Sequence, residues 1–74
     1  MNVNSIFDAE AFTENLVNTM KKKGINQSDL AKKTGTFPGV ISDYCRGKKL
    51  PSLWMFVLIC KMLDASPNEM LRKK

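Results

Sequence analysis

The central segment from residue 25 to residue 52 constrains the fold of this chain most, because it holds two helix starts separated by one helix stop. Asn26 is a good N-cap residue, and Asp29 three positions later completes a pattern close to a capping box. Gly35 can take the left-handed conformation that ends a helix. Only two residues separate it from Pro38, which suits the first turn of a new helix. The segment therefore predicts two short helices joined by a tight turn.

Two helices at this spacing form a helix-turn-helix, which we place at about residues 27–46. The segment also carries an ordered set of residues at fixed spacing: Gln27, Leu30-Ala31, Gly35, Ile41-Ser42, Arg46-Gly47-Lys48 and Pro51-Ser52. This set resembles the Cro/C1-type helix-turn-helix family (XRE, lambda-repressor-like) of phage repressors and related bacterial regulators. The resemblance extends more weakly from about Phe12 to Leu71. It implies a DNA-binding domain in which the second helix of the motif enters the major groove.

Helical periodicity and capping residues predict an all-α architecture with no strand, repeat or linker. Five helices are expected over about residues 8–23, 27–34, 38–46, 53–64 and 67–72. A chain of 74 residues buries only enough surface for one small domain. We therefore expect residues 1–74 to form a single compact five-helix domain of the lambda-repressor-like class.

The charge of the chain is unevenly distributed. The net charge is +5, but the first 20 residues carry three acidic groups and no basic group, whereas the rest carry twelve basic and four acidic groups. An uneven basic domain is typical of proteins that bind a polyanion such as double-stranded DNA. The alternative is that these lysines are ordinary solvated surface residues.

The residue types argue against metal, cofactor or catalytic chemistry. Cys45 and Cys60 lie in apolar helical sequence, and the chain has no histidine and no CxxC spacing. No phosphate-cradling glycine loop or carboxylate pair in a plausible pocket is present, so we expect no enzyme, cofactor or small-molecule substrate. The N-terminus is acidic where a signal peptide is basic, and the longest apolar run is too short to span a membrane. The expected location is the cytoplasm of a bacterial host, at its nucleoid.

Two groups of residues are candidates for contact with DNA phosphates. Asn26 and Gln27 lie at the start of the first helix of the motif, beside backbone N–H groups that favour anions. The family resemblance assigns a phosphate contact to Gln27. Asn26 is expected to cap the helix, a role that can coexist with a phosphate contact. Arg46, Lys48 and Lys49 follow the second helix in a short basic loop. For these three residues the alternative is a solvated loop.

The second helix of the motif carries few groups that can contact bases. Its exposed positions are Phe37, Pro38, Gly39, Val40, Ser42 and Asp43. Pro38 and Gly39 offer no side-chain donor, Val40 can pack on a thymine methyl group, and Asp43 can accept from a cytosine amino group but is repelled by phosphates. Phe37 can wedge against thymine methyl groups or pack across the turn. The helix predicts either a modest A·T preference with shape readout or the loss of most direct base contacts.

The helix over residues 53–64 is apolar almost all the way round. The family resemblance implies that one set of its residues faces the core: Leu53, Phe56, Val57, Ile59, Cys60 and Leu63. The remaining apolar residues fall on a second face and predict a protein interface: Trp54, Met55, Leu58 and Met62, with Leu50 beside them. A homodimer or a heterologous protein partner are the two uses of such a surface. The alternative is that Val3, Ile6 and Phe7 fold over it.

Two functional hypotheses follow from these patterns. The first is a DNA-binding transcriptional regulator, specifically a phage or prophage repressor of the Cro type that occludes a promoter. The second is an antirepressor-like protein-interaction module on the same fold, which binds another regulator rather than an operator. The first is the leading hypothesis. The support for the second is the sparse base-contacting helix together with the apolar helix over residues 53–64.

Overall fold

The computed structural model describes residues 9–72, over which five α-helices follow one another. They are α1 (Ala9–Lys23), α2 (Gln27–Thr34), α3 (Pro38–Cys45), α4 (Leu53–Leu63) and α5 (Pro67–Leu71). The predicted all-α class is confirmed, and each observed helix end lies within one residue of its expected position. Residue 8, where α1 was expected to begin, lies outside the described residues.

Local sequence explains where most of these helices begin and end. The N-cap side chains of Asn26, Ser52 and Ser66 each accept a hydrogen bond from the backbone N–H three residues later, at 2.8, 3.2 and 3.1 Å. Gly35 ends α2 at a φ of 73°, a conformation that costs glycine little. Pro38 then opens α3 at its first turn, where its missing N–H has no cost.

A hydrophobic core fills the space between the helices. Its fully buried members come from all five of them: Phe12, Leu16, Leu30, Ile41, Ile59, Leu63 and Met70. The rings of Phe12 and Phe56 meet at a centroid distance of 5.8 Å and an interplanar angle of 59°, a tilted arrangement that aromatic pairs favour. Each fully buried side chain contributes roughly 1.5–3 kcal/mol relative to exposure. This core fixes the position of α3 against α1 and α2.

The orientation of α4 differs from the prediction. Phe56, Ile59 and Cys60 face the core as expected, but Leu53 is 80% exposed and Val57 is 37% exposed. The prediction that Leu53 and Val57 are core residues is therefore wrong. Since α4 packs against α1, α2 and α5 from one side, only one stripe of its surface can be buried. An apolar sequence of this kind does not specify which stripe that is.

Long-range polar contacts connect α1 with the C-terminal helices. The Lys23 Nζ donates to the backbone oxygen of Asp64, the residue that ends α4, at 3.1 Å. Asn15, a buried residue on α1, holds α5 through its side chain. These contacts complement the apolar packing between α1 and the two helices that follow α3.

Candidate nucleic-acid interface

The N-terminus of α2 presents two exposed polar side chains, Asn26 and Gln27. The Asn26 Oδ1 accepts the backbone N–H of Asp29 at 2.8 Å, so its capping role is confirmed. The first-turn N–H groups of an α-helix carry partial positive charge and attract anions. The position of Asn26 and Gln27 at this helix end is compatible with the predicted phosphate contacts.

Gln27 also connects the start of α2 with the end of α3. Its side chain hydrogen-bonds to the Cys45 thiol, and the Cys45 Sγ lies 3.8 Å from the Met20 Sδ. Burial raises the pKa of the Cys45 thiol, and the hydrogen bond from Gln27 acts in the opposite direction. The contact brings the α2 N-terminus beside the loop that begins at Arg46. Gln27 therefore lies near the C-terminal end of α3, where the basic loop begins.

The basic loop after α3 is held by backbone hydrogen bonds to that helix. The Arg46 N–H donates to Ser42 O at 3.0 Å and the Lys48 N–H donates to Asp43 O at 2.9 Å. Gly47 turns the chain at a φ of 73°, in the left-handed region. Arg46, Lys48 and Lys49 are all exposed, so their charges face solvent from a fixed backbone.

The three basic side chains of the loop differ in their surroundings. The Lys49 Nζ lies 3.8 Å from the Asp43 Oδ2. Arg46 lines an open groove together with Glu10 and Glu14 of α1, whose carboxylates reduce the positive potential there. Lys48 forms no ion pair among residues 9–72. We expect Lys48 to present the strongest positive potential of the loop.

The surface of α3 places the base-contact candidates in two groups. Phe37, Pro38 and Gly39 are exposed at its N-terminal end, and Phe37 is 76% exposed. The alternative that Phe37 packs across the turn is therefore wrong, since most of its ring faces solvent. Val40 packs partly against the core, which limits the area it offers to a thymine methyl group.

Ser42 and Asp43 form the second group, further along α3, and both are half-buried. The ion pair with Lys49 gives the Asp43 carboxylate a partner within the protein. Sequence analysis did not anticipate this pair. The only indication in the sequence is the short separation of the two residues across a glycine.

The predicted interface on α4 is only partly exposed. Trp54 is 75% exposed, but Met55 and Met62 pack partly against the core and Leu58 is half-buried. The two methionines lie on the side of α4 that flanks its buried stripe. They therefore contribute less to an external surface than expected.

A different set of apolar side chains is exposed at the start of α4. We call it the apolar patch: Leu50, Leu53, Trp54 and Val57. The last three lie within one helical turn of each other. Val3, Ile6 and Phe7, the alternative cover for this helix, lie outside the described residues. Contiguous exposed apolar groups of this kind are typical of contact sites.

Residues 9–72 contain no group of three or more histidine, cysteine or acidic side chains that could hold a metal ion. Cys45 and Cys60 are free cysteines. Burial raises the pKa of the Cys60 thiol as it does for Cys45. Over the same residues no helix is long and apolar enough to cross a membrane.

Known proteins share both the sequence pattern and the geometry. The helix-turn-helix family model HTH_3 matches residues 18–70, from the second half of α1 to α5. The clp gene regulator ClgR of Corynebacterium glutamicum is 30% identical and has a TM-score of 0.80, over 85% of this chain and 67% of its own. The restriction-modification controller protein C.AhdI of Aeromonas hydrophila is 27% identical, with a TM-score of 0.79, over 85% of this chain and 96% of its own.

The SOS-response transcriptional repressor LexA of Eubacterium rectale has the same fold at 21% identity, with a TM-score of 0.82 over 89% of this chain and 70% of its own. No curated protein sequence matches the chain significantly.

Proposed function

The chain belongs to the HTH_3 helix-turn-helix family and is a DNA-binding transcriptional regulator, and from this premise we propose that it is a phage or prophage repressor of the Cro type. Its fold and family are those of transcription regulators, which are not enzymes. In this proposal α3 enters the major groove of an operator in the cytoplasm of a bacterial host, and the bound protein occludes a promoter.

One arrangement carries the proposal. The Gln27–Cys45 contact brings the N-terminus of α2 next to the basic loop, so that Gln27 and Lys48 can hold the DNA backbone near the same end of α3. Phosphate contacts fix the register of a protein on duplex DNA, while base contacts supply specificity. Asn26, Arg46 and Lys49 complete the set of backbone contacts in this proposal.

Base specificity in this proposal comes from the exposed N-terminal end of α3. Phe37 offers an apolar ring to thymine methyl groups and sugars, and Pro38 and Gly39 allow close approach without supplying donors. The later positions of α3, Val40, Ser42 and Asp43, are half-buried. Such a surface favours A·T-rich sites and sequence-dependent groove shape over bidentate hydrogen bonds to guanine.

A homodimer is the proposed assembly, with the apolar patch as its interface. Burying Leu53 and Trp54 against a second copy removes from water two side chains that are each at least three-quarters exposed. Full burial of such a side chain is worth roughly 1.5–3 kcal/mol. A two-fold pair places two α3 helices about 34 Å apart, the spacing of successive major grooves on one side of DNA.

The second candidate function is an antirepressor-like module that binds another regulator. The observation that favours it is the exposure of Leu53 and Trp54 beside a helix α3 that is poor in base-contacting groups. In that case the apolar patch contacts a heterologous protein and DNA affinity is incidental.

Selection from random duplex DNA, followed by titration of the enriched pool against salt, tests the proposal. A near-palindromic motif with a steep salt dependence is the expected result. Weak binding without enrichment would favour the protein-interaction function instead. Charge reversal of Lys48 and Lys49 separates the two functions, since it abolishes repression by a DNA-binding protein and leaves an antirepressor active.

A further inference from the structure

An acidic residue of α3 forms an ion pair with one lysine of the basic loop. The Lys49 Nζ lies 3.8 Å from the Asp43 Oδ2. The Lys49 side chain is 66% exposed and the Asp43 side chain is 29% exposed, so the pair sits at the surface that the proposed function places against DNA. It is the one ion pair found among residues 9–72.

The position of the loop does not depend on this ion pair. The N–H groups of Lys48 and Lys49 both point to the backbone oxygen of Asp43, at 2.9 and 3.4 Å, and Arg46 is bonded in the same way to Ser42. These contacts use the main chain of Asp43 rather than its carboxylate. Removing the carboxylate charge therefore leaves the loop in place and changes only the electrostatic environment of Lys49.

The pair is also weak enough to exchange. An ion pair between exposed side chains has a small free energy of formation, because water screens the attraction and two flexible side chains lose entropy. A DNA phosphate offers the same ammonium group a partner within a dense row of negative charges. The carboxylate and a phosphate therefore compete for Lys49, and only one of them can hold it closely.

We propose that Asp43 is an internal counter-charge for Lys49, which lowers the affinity of the protein for DNA in general by competing with phosphate for that lysine. This inference rests on the proposed function. It assigns Asp43 a positioning and affinity-setting role rather than a contact with cytosine. When the affinity for DNA of any sequence is lower, discrimination between base sequences depends more on the apolar N-terminal end of α3.

The test is a double-mutant cycle on a random-sequence duplex, with binding followed by fluorescence anisotropy at several salt concentrations. The four proteins are wild type, Asp43→Asn, Lys49→Met and the double variant. Asp43→Asn tightens binding in the wild-type background, and this gain is about twofold to fivefold larger than the gain in the Lys49→Met background. The slope of log affinity against log salt steepens by no more than about 0.9, the value for one whole additional phosphate contact, because Asp43→Asn raises the share of bound protein in which Lys49 holds a phosphate.

Glu69→Gln is the matched control, because it removes one negative charge from an exposed position on α5. It corrects for the change in net charge, and its effect on affinity is smaller than that of Asp43→Asn. Thermal unfolding of each variant establishes that the loop and the core are intact.

The outcomes separate this inference from the proposed function. An equal gain from Asp43→Asn in both backgrounds would mean that the carboxylate only repels phosphates, and would overturn the competition. A loss of affinity on Asp43→Asn would assign the carboxylate to base contact and overturn it as well. Absence of DNA binding by all four proteins would refute the proposed function itself, and this inference with it.

Discussion

The Asn15 side chain on α1 hydrogen-bonds from Nδ2 to the backbone oxygen of Met70 on α5 at 2.9 Å. The same Nδ2 also donates to the backbone oxygen of Arg72, again at 2.9 Å. These oxygens belong to the end of a helix, where backbone carbonyls have no partner within the helix. Since α5 has only five residues, its position depends on such tertiary contacts.

Asn15→Ala should lower the free energy of unfolding by about 1–3 kcal/mol, because it removes the side-chain donor from the buried bond to the Met70 oxygen and from the partly buried bond to the Arg72 oxygen. Asn18→Ala is the control, since Asn18 is exposed on the same helix, and its effect should stay within about 0.5 kcal/mol. Urea denaturation followed by circular dichroism measures both. Equal stability of the two variants would contradict the role assigned to Asn15.

Gln27→Ala should weaken binding to every duplex by a similar factor, corresponding to roughly 0.5–1.5 kcal/mol for one hydrogen bond. The reason is that a phosphate contact carries no sequence information. Ser28→Ala, an exposed neighbour on α2, is the control. Titrations of the selected operator and of a random duplex decide the matter, and a loss confined to the operator would argue against a phosphate contact.

Val40→Ala should instead change preference at one base-pair position. The side chain packs partly against the core, so the substitution should also cost about 1 kcal/mol of stability. Binding is therefore compared across single-base operator variants at a temperature where both proteins are folded. A uniform loss over all variants would show that Val40 lies away from the bases and that α3 is placed differently in the groove.

Leu53→Glu and Trp54→Glu should each convert a homodimer to monomers, because a carboxylate in an apolar interface loses its hydration. Asn18→Glu adds the same charge at an exposed position of α1 and should leave the assembly unchanged. Sedimentation equilibrium gives the molar mass. If wild type and variants all sediment as monomers, the homodimer is excluded and a heterologous partner remains for the apolar patch.

We expect the folded protein to lose stability in alkaline solution because of its two cysteine thiols. Burial raises the pKa of both thiols above the ordinary value of 9.0, so the folded state binds these protons more tightly than the unfolded state. Their contribution to stability is therefore fully present below the unfolded pKa and is lost as pH rises through the raised folded pKa.

As the pH rises above about 8, the wild type should lose more stability than a Cys45→Ala/Cys60→Ala variant. The urea midpoint of both proteins at each pH provides the measurement. Parallel curves would show that the thiols titrate alike in the folded and unfolded chains.

The helix-turn-helix was predictable because its boundaries depend on local chemistry. Asn26, Gly35 and Pro38 each restrict the backbone within one turn of their own position, and the structure places the helix ends beside them. The orientation of α4 was not predictable in this way. Apolar side chains on all its faces leave the choice of buried stripe to the neighbouring helices, so Leu53 was assigned to the wrong side.

The polar contacts missed by sequence analysis share a physical cause. Asn15 and Met70 are 55 residues apart, and no local pattern connects them. Asp43 and Lys49 are close in sequence, but their approach requires the turn at Gly47. In both cases the partner is defined by the path of the chain rather than by the residue type.

The bond between Asn15 and α5 also has a consequence for the order of folding. Of the five helices in residues 9–72, α1 is made before the others, and it receives its buried neighbour Met70 only after the four later helices have been made. Contacts between such distant residues form slowly because a long loop has to close. A nascent chain on the ribosome therefore carries an incomplete core until α5 has emerged.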